Sequence, residues 1–136
     1  MIDVSNRVFS NVKWYVQKQY PNANFQNSAT ATPPELPAVS VKQINGREVA
    51  LDLGSGSFDD DYSVESSVEI QVYSNKNISE SRKILMAACD AMRAMSYTRD
   101  YGIADIPDRQ LPNLYRCVAR FSRIVSEMDE VPKFTD

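Results

Sequence analysis

The sequence predicts an α+β domain in which a mostly antiparallel sheet of about four or five strands carries two main helices on one face. Two segments repeat their apolar residues with a helical period, and several stretches alternate apolar and polar residues as half-buried strands do. The length of 136 residues suits one domain spanning 1–136, large enough to bury roughly two thirds of its unfolded surface without a disulfide or metal staple.

Residues 3–20 open the chain as an amphipathic helix. At 100° per residue, Val4, Val8, Phe9, Val12, Tyr15, Val16 and Tyr20 fall within an arc of about 160°, with Arg7, Lys13 and Lys18 outside it. Asp3 or Ser5 starts this helix, and Pro21 forces its end near Tyr20 because the residue before proline is pushed out of the helical region. Residues 21–37 hold Pro21, Pro33, Pro34 and Pro37 among Asn, Ser, Thr and Ala, and read as an extended loop.

A hairpin follows. Residues 38–44 begin with alternation, Asn45-Gly46 is a two-residue turn signal, and residues 48–53 alternate again. Leu53-Gly54-Ser55-Gly56-Ser57-Phe58-Asp59-Asp60-Asp61 reads as a flexible acidic loop. From Tyr62 onward the even positions Tyr62, Val64, Val68, Ile70 and Val72 place apolar groups on one side of the longest strand.

Asn77-Ile78-Ser79-Glu80 fits a helix start, with Asn77 accepting from a free backbone N–H and Glu80 reaching back as in a capping box. The helix runs to about Met95 or Tyr97. Ile84, Leu85, Ala88, Cys89, Met92 and Met95 occupy an arc of about 140°, opposite Arg82, Lys83, Asp90 and Arg93. A loop with Gly102, Pro107 and Pro112 leads to the last core strand at 115–125, where Tyr115, Cys117, Ala119 and Phe121 share one face and Arg116, Val118 and Arg120 the other. Residues 127–136 read as a polar, mobile arm.

Composition excludes much chemistry. With no histidine there is no Ser-His-Asp triad, Cys-His dyad or His-containing zinc site. Cys89 and Cys117 form no Cys-x-x-Cys pair and are expected as small buried apolar side chains. The N-terminus lacks a basic segment followed by an apolar one, and no apolar run approaches the ~20 residues of a membrane span, so a soluble protein without a signal peptide is expected. Fifteen Lys and Arg stand against 18 Asp and Glu: five against three over 1–50, five against nine over 51–100, and five against six over 101–136. No basic stripe runs along the chain, which speaks against nucleic-acid binding as its main role.

Leu53-Gly54-Ser55-Gly56 matches neither phosphate-binding glycine pattern, since acids follow where a Lys or a third Gly is needed. Asp59, Asp60 and Asp61 are hard oxygen ligands, yet three adjacent residues cannot all point at one cation from an extended strand, and a solvated loop explains them. Glu69-Ile70-Gln71 lacks the Lys of the Glu-x-Lys pattern of restriction-type nucleases. Trp14 lies away from the apolar arc, so it is either exposed for an interface or covered by the proline-rich loop. Arg116 and Arg120 alternate on one sheet face that is either solvated or meets acids of another subunit.

An N-terminal helix, a hairpin, a long strand ending Val68-Glu69-Ile70-Gln71-Val72-Tyr73-Ser74, a capped helix with Ser81-Arg82-Lys83-Ile84, and a closing strand Tyr115-Arg116-Cys117-Val118-Ala119-Arg120-Phe121 resemble the tail terminator (tail completion) proteins of long-tailed bacteriophages, often labelled minor capsid or minor tail proteins. The likeness covers about residues 2–125 and rests on element order, size and a diffuse strand-helix pattern. It implies helices on one face of a mostly antiparallel sheet, in a structural protein that catalyses no reaction and holds no cofactor or metal. It also implies a ring, usually a hexamer, that caps the tail tube, ends tail elongation and docks the head-neck connector. The implied partners are further copies of the chain, the tail tube protein and the neck connector, with genomic DNA passing through the lumen and no membrane involved. The implied location is the head-proximal end of the tail in the virion, after assembly in the host cytoplasm.

On this resemblance the interface candidates are Trp14, Phe58, Asp59, Asp60, Asp61, Arg116 and Arg120, with the acidic loop and the C-terminal arm as docking parts. Acids lining the lumen would keep DNA from sticking by like-charge repulsion. The alternatives are a head-closure or other neck protein of the same virion, a cation-dependent phosphodiesterase built on Asp59, Asp60, Asp61 and Glu69, and a host adaptor domain with a peptide groove.

Overall fold

Apolar residues spaced by three and four wind the first segment into α1 (Ser5–Gln19) in the computed structural model, which describes residues 5–26, 36–50, 62–106 and 114–126. Val8, Val12 and Val16 are buried along one stripe. The Tyr20 N–H closes the last turn on the Val16 carbonyl at 2.8 Å, and Pro21 ends the helix as its fixed φ and missing donor require.

The expected loop at 21–37 contains a short strand instead, β1 (Asn24–Gln26), parallel to the start of β2 (Ala38–Ala50). Asn24 anchors it: its N–H and its side-chain Nδ2 both donate to the Pro37 carbonyl, at 3.0 and 3.2 Å. Phe25 meets Phe9 of α1 edge to face, with ring centroids 6.2 Å apart. Three residues are too few to show alternation.

Asn45-Gly46 is not the hairpin turn. β2 runs through it and pairs over its whole length with β3 (Tyr62–Ser74). Gln43 faces Val68 and Asn45 faces Ser67, so Ile44 is one extra residue in the ladder, a bulge. A turn dipeptide flanked by alternation looks the same as a bulged strand until the partner is known, and here Tyr62 to Tyr73 of β3 pair with every residue of β2 except Ile44. β2 equals β3 in length, at 13 residues. The connection at 51–61, including the expected acidic loop, lies outside the described residues.

α2 (Ile78–Ala94) starts at the expected cap, where the Asn77 Oδ1 accepts from the Glu80 N–H at 2.7 Å, but the Glu80 side chain does not close the expected capping box. The Glu80 carboxylate accepts from the Ser74 hydroxyl at 2.8 Å and lies 3.7 Å from Lys76 Nζ, tying the cap to the end of β3. Ile84, Leu85, Ala88 and Met92 are fully buried; Cys89 is only half-buried, at the border of the core.

The expected loop before the last strand carries a further strand, β4 (Thr98–Ile106), antiparallel to β5 (Tyr115–Ser126). Gly102 marks an irregularity within it. Its φ is +100°, and a Cβ there would stand 2.5 Å from the Val118 carbonyl oxygen and 2.8 Å from Ala119 Cα, so only glycine lets the edge strand approach β5.

The five strands lie in the order β1-β2-β3-β5-β4, antiparallel except for β1–β2. Both helices cover one face, as the sequence predicts. The core joins Val8, Val12 and Val16 of α1 to Ile84, Leu85 and Met92 of α2 and to Val68, Ile70, Cys117, Ala119 and Phe121 below them, each Val, Ile, Leu, Met or Phe contributing roughly 1.5–3 kcal/mol. The helices run antiparallel: Asn11 donates to Met95 Sδ at 3.3 Å, while Tyr20 and Ile84 line one cleft at the other end. A small second cluster, Ala38, Tyr73 and Leu114 with Leu36, covers one end of the opposite face.

Candidate functional site

Alternation along β3 turns Glu65, Ser67, Glu69, Gln71 and Tyr73 away from the helices. Register then sets Tyr73 opposite Arg116, Gln71 opposite Val118, and Glu69 opposite both Lys42 on one side and Arg120 on the other. Tyr101 of β4 lies beside Arg120. The helix-free face therefore collects residues from four strands.

Its polar groups form one connected line. The Tyr73 hydroxyl donates to Gln71 Oε1 at 2.9 Å, Gln71 Nε2 donates to Glu69 Oε1 at 2.7 Å, and Arg120 Nε donates to Glu69 Oε2 at 2.8 Å. The guanidinium groups stand over rings: Arg116 is 5.9 Å from the Tyr73 centroid and Arg120 is 5.8 Å from the Tyr101 centroid. Burial pushes the Tyr73 phenol above its ordinary value, with the Arg116 guanidinium opposing the shift, so at neutral pH it is a hydrogen-bond donor rather than a phenolate. Arg116 Nε is buried and meets no hydrogen-bond acceptor among the described residues.

Both oxygens of Glu69 are engaged, one by Gln71 and the other by Arg120. No group of three potential metal ligands occurs among the described residues. Glu69 is held with its side chain 14% exposed while Arg120 is 55% exposed, so the ordered acid presents an oriented guanidinium to the outside. Beside it stands Tyr101, 53% exposed, and Ile124, 49% exposed, lies four residues further along β5. Arginine and aromatic groups flanked by apolar ones are the side chains from which interface hot spots are built.

Of the residues singled out in the sequence, Arg116 and Arg120 come together on this face. Trp14 does not; it belongs to the helix layer, is half-buried, and has Lys18 Nζ 3.5 Å from its ring centroid, so a lysine one turn along α1 packs on it. Phe58, Asp59, Asp60 and Asp61 lie outside the described residues, as do 127–136. Tyr73, Gln71 and Tyr101 were missed as site residues. The odd-position row Glu69, Gln71 and Tyr73 was open to reading, but its link to Arg120 and Tyr101 depends on strand order and register.

Cys117 is fully buried and its thiol is pushed up to about 11, chiefly by burial; Cys89 is shifted in the same direction for the same reason. Neither is poised as a nucleophile. No protein-family model matches the chain, and no curated protein matches it either.

Proposed function

We propose that this chain is a structural virion protein of the tail terminator type: a ring former that caps the tail tube of a long-tailed bacteriophage, ends tail elongation and offers the docking surface for the head-neck connector. The observation that supports it most is the helix-free sheet face, an ordered Glu69–Arg120 pair beside exposed Tyr101, with exposed Ile124 further along β5, which suits recognition of another protein. The placement of both helices on one face of a mostly antiparallel sheet supports the reading, whereas the hairpin counted in the resemblance is a single bulged strand. In this reading the sheet face meets the tube or the neck, and the chain acts without cofactor or catalysis.

The reading is tested by polymerising the same virion's tail tube protein with and without this chain. Shortened tubes carrying the chain at one end support it. Unchanged tube lengths with no bound chain would overturn it.

A further inference from the structure

The charges on the helix-free face of the sheet are not equally open to a partner. Lys42, Arg116 and Arg120 stand there against Glu65 and Glu69, and Glu65 lies opposite Arg47 in register. Asp100, next to Tyr101, falls at a register shift of β4 and faces no residue of β5. Glu69 has Lys42 on one side and Arg120 on the other, so the three together leave one net positive charge. The acid is also the covered member: its side chain is 14% exposed and both oxygens are engaged, whereas Arg120 and Lys42 are exposed. Arg120 is held at two points. Its Nε donates to Glu69 Oε2 and its guanidinium stands over the Tyr101 ring, while its two Nη groups make no hydrogen bond among the described residues. A guanidinium fixed in this way offers the Nη pair as a planar fork that matches two carboxylate oxygens, with little rotamer freedom left to lose. Lys42 is a point charge on a flexible stem. Arg116, four residues away along β5 and so about 13 Å distant, is too far to share one carboxylate with Arg120.

We propose that the protein docking on this face presents a carboxylate, an Asp or Glu side chain beside an apolar one, and that Arg120 receives it through both Nη groups. The inference rests on the docking reading above and specifies the partner's chemistry. Glu69 does not turn the incoming carboxylate away, because it is covered and Lys42 offsets its charge from the other strand. Tyr101, 53% exposed beside the guanidinium, meets the partner's apolar group. An oriented arginine against an aromatic ring is the composition from which interface hot spots are built. A nucleic acid is the weaker occupant, because the face offers one oriented cation rather than a row and the chain carries a net charge of −3.

Full-length Arg120→Gln, Arg120→Lys and Arg120→Glu chains test it against the parent. Binding is measured to the immobilised tail tube protein and neck connector protein of the same virion, and to a short DNA duplex, with circular dichroism to confirm each fold. The expected result is that Arg120→Gln binds the receiving protein about tenfold or more weakly. Arg120→Lys recovers only part of the loss, since a point charge lacks the fork. Arg120→Glu binds again when one interface Asp or Glu of the receiving protein is changed to Arg, and raising salt weakens the parent more than Arg120→Gln. Parent-level binding by Arg120→Gln would overturn this inference and leave the docking reading standing, and so would a loss in Arg120→Glu that no acid-to-Arg change in the partner restores. Duplex binding that depends on Arg120 would assign the anchor to phosphate and overturn it as well. A parent that binds neither protein would overturn both.

Discussion

Arg120 Nε donates to Glu69 Oε2 at 2.8 Å across the β3–β5 pair, and the two residues stand directly opposite in register. The pair is unequal, with Glu69 largely covered and Arg120 largely exposed. Removing Arg120 leaves a covered carboxylate with only Gln71 donating to it, whereas removing Glu69 frees a guanidinium that water can solvate.

The first prediction follows from that asymmetry. Arg120→Ala should lower stability by about 1 kcal/mol and Glu69→Ala by less, with a coupling of about 0.5–1 kcal/mol in the double-mutant cycle. Urea unfolding of the four proteins measures it, and additive single effects would show that the pair does not act as a unit.

Ser66 is the one polar residue among the inward positions Val64, Ser66, Val68, Ile70 and Val72, and its hydroxyl lies 2.8 Å from the Tyr97 hydroxyl in a buried setting. Ser66→Ala should cost about 1–3 kcal/mol by leaving the phenol buried without that partner. Combining it with Tyr97→Phe should cost less than the two single changes added together. Full additivity in thermal melts would contradict the assignment.

Gly102→Ala should destabilise by about 2–3 kcal/mol, because a side chain at φ +100° is strained and the new Cβ meets the Val118 carbonyl. Faster amide exchange along β4 and β5, with α1 and α2 unaffected, would locate the damage. An alanine variant as stable as the parent would rule out the close approach.

Cys117 gives the fold a pH dependence. Its folded thiol sits above the ordinary value of 9.0, at about 11, so the native state binds its proton more tightly than the unfolded chain. The contribution is fully present below about pH 9 and is lost as the pH rises toward 11, an order of 2–3 kcal/mol for two units. Tyr73 and Tyr97 shift the same way and add to the alkaline loss, so the measurement compares parent with Cys117→Ala. The variant should show the shallower decline from pH 8 to 11; parallel curves would count against a buried, protonated thiol.

How far the sequence could be read depended on how local each signal was. The helices, the Asn77 cap and the inward row of β3 follow from spacings within a few turns or residues, and they stand where spacing puts them. Asn45-Gly46 misled because a turn signal and a bulge share the same local pattern, and the paired length of β3 decides between them. β4 escaped because Gly102 interrupts its alternation for a reason on another strand, the Val118 carbonyl. The site divides likewise: Arg116 and Arg120 announce themselves by alternation, but Glu69 as the group that orients Arg120 lies 51 residues earlier and is visible only through register.

Light scattering across a wide concentration series, with negative-stain electron microscopy of the same samples, tests self-assembly most directly. The account predicts a species several times the 15.4 kDa chain mass that images as a closed ring with a central hole. A single-chain mass at every concentration, with no rings in the images, would contradict it.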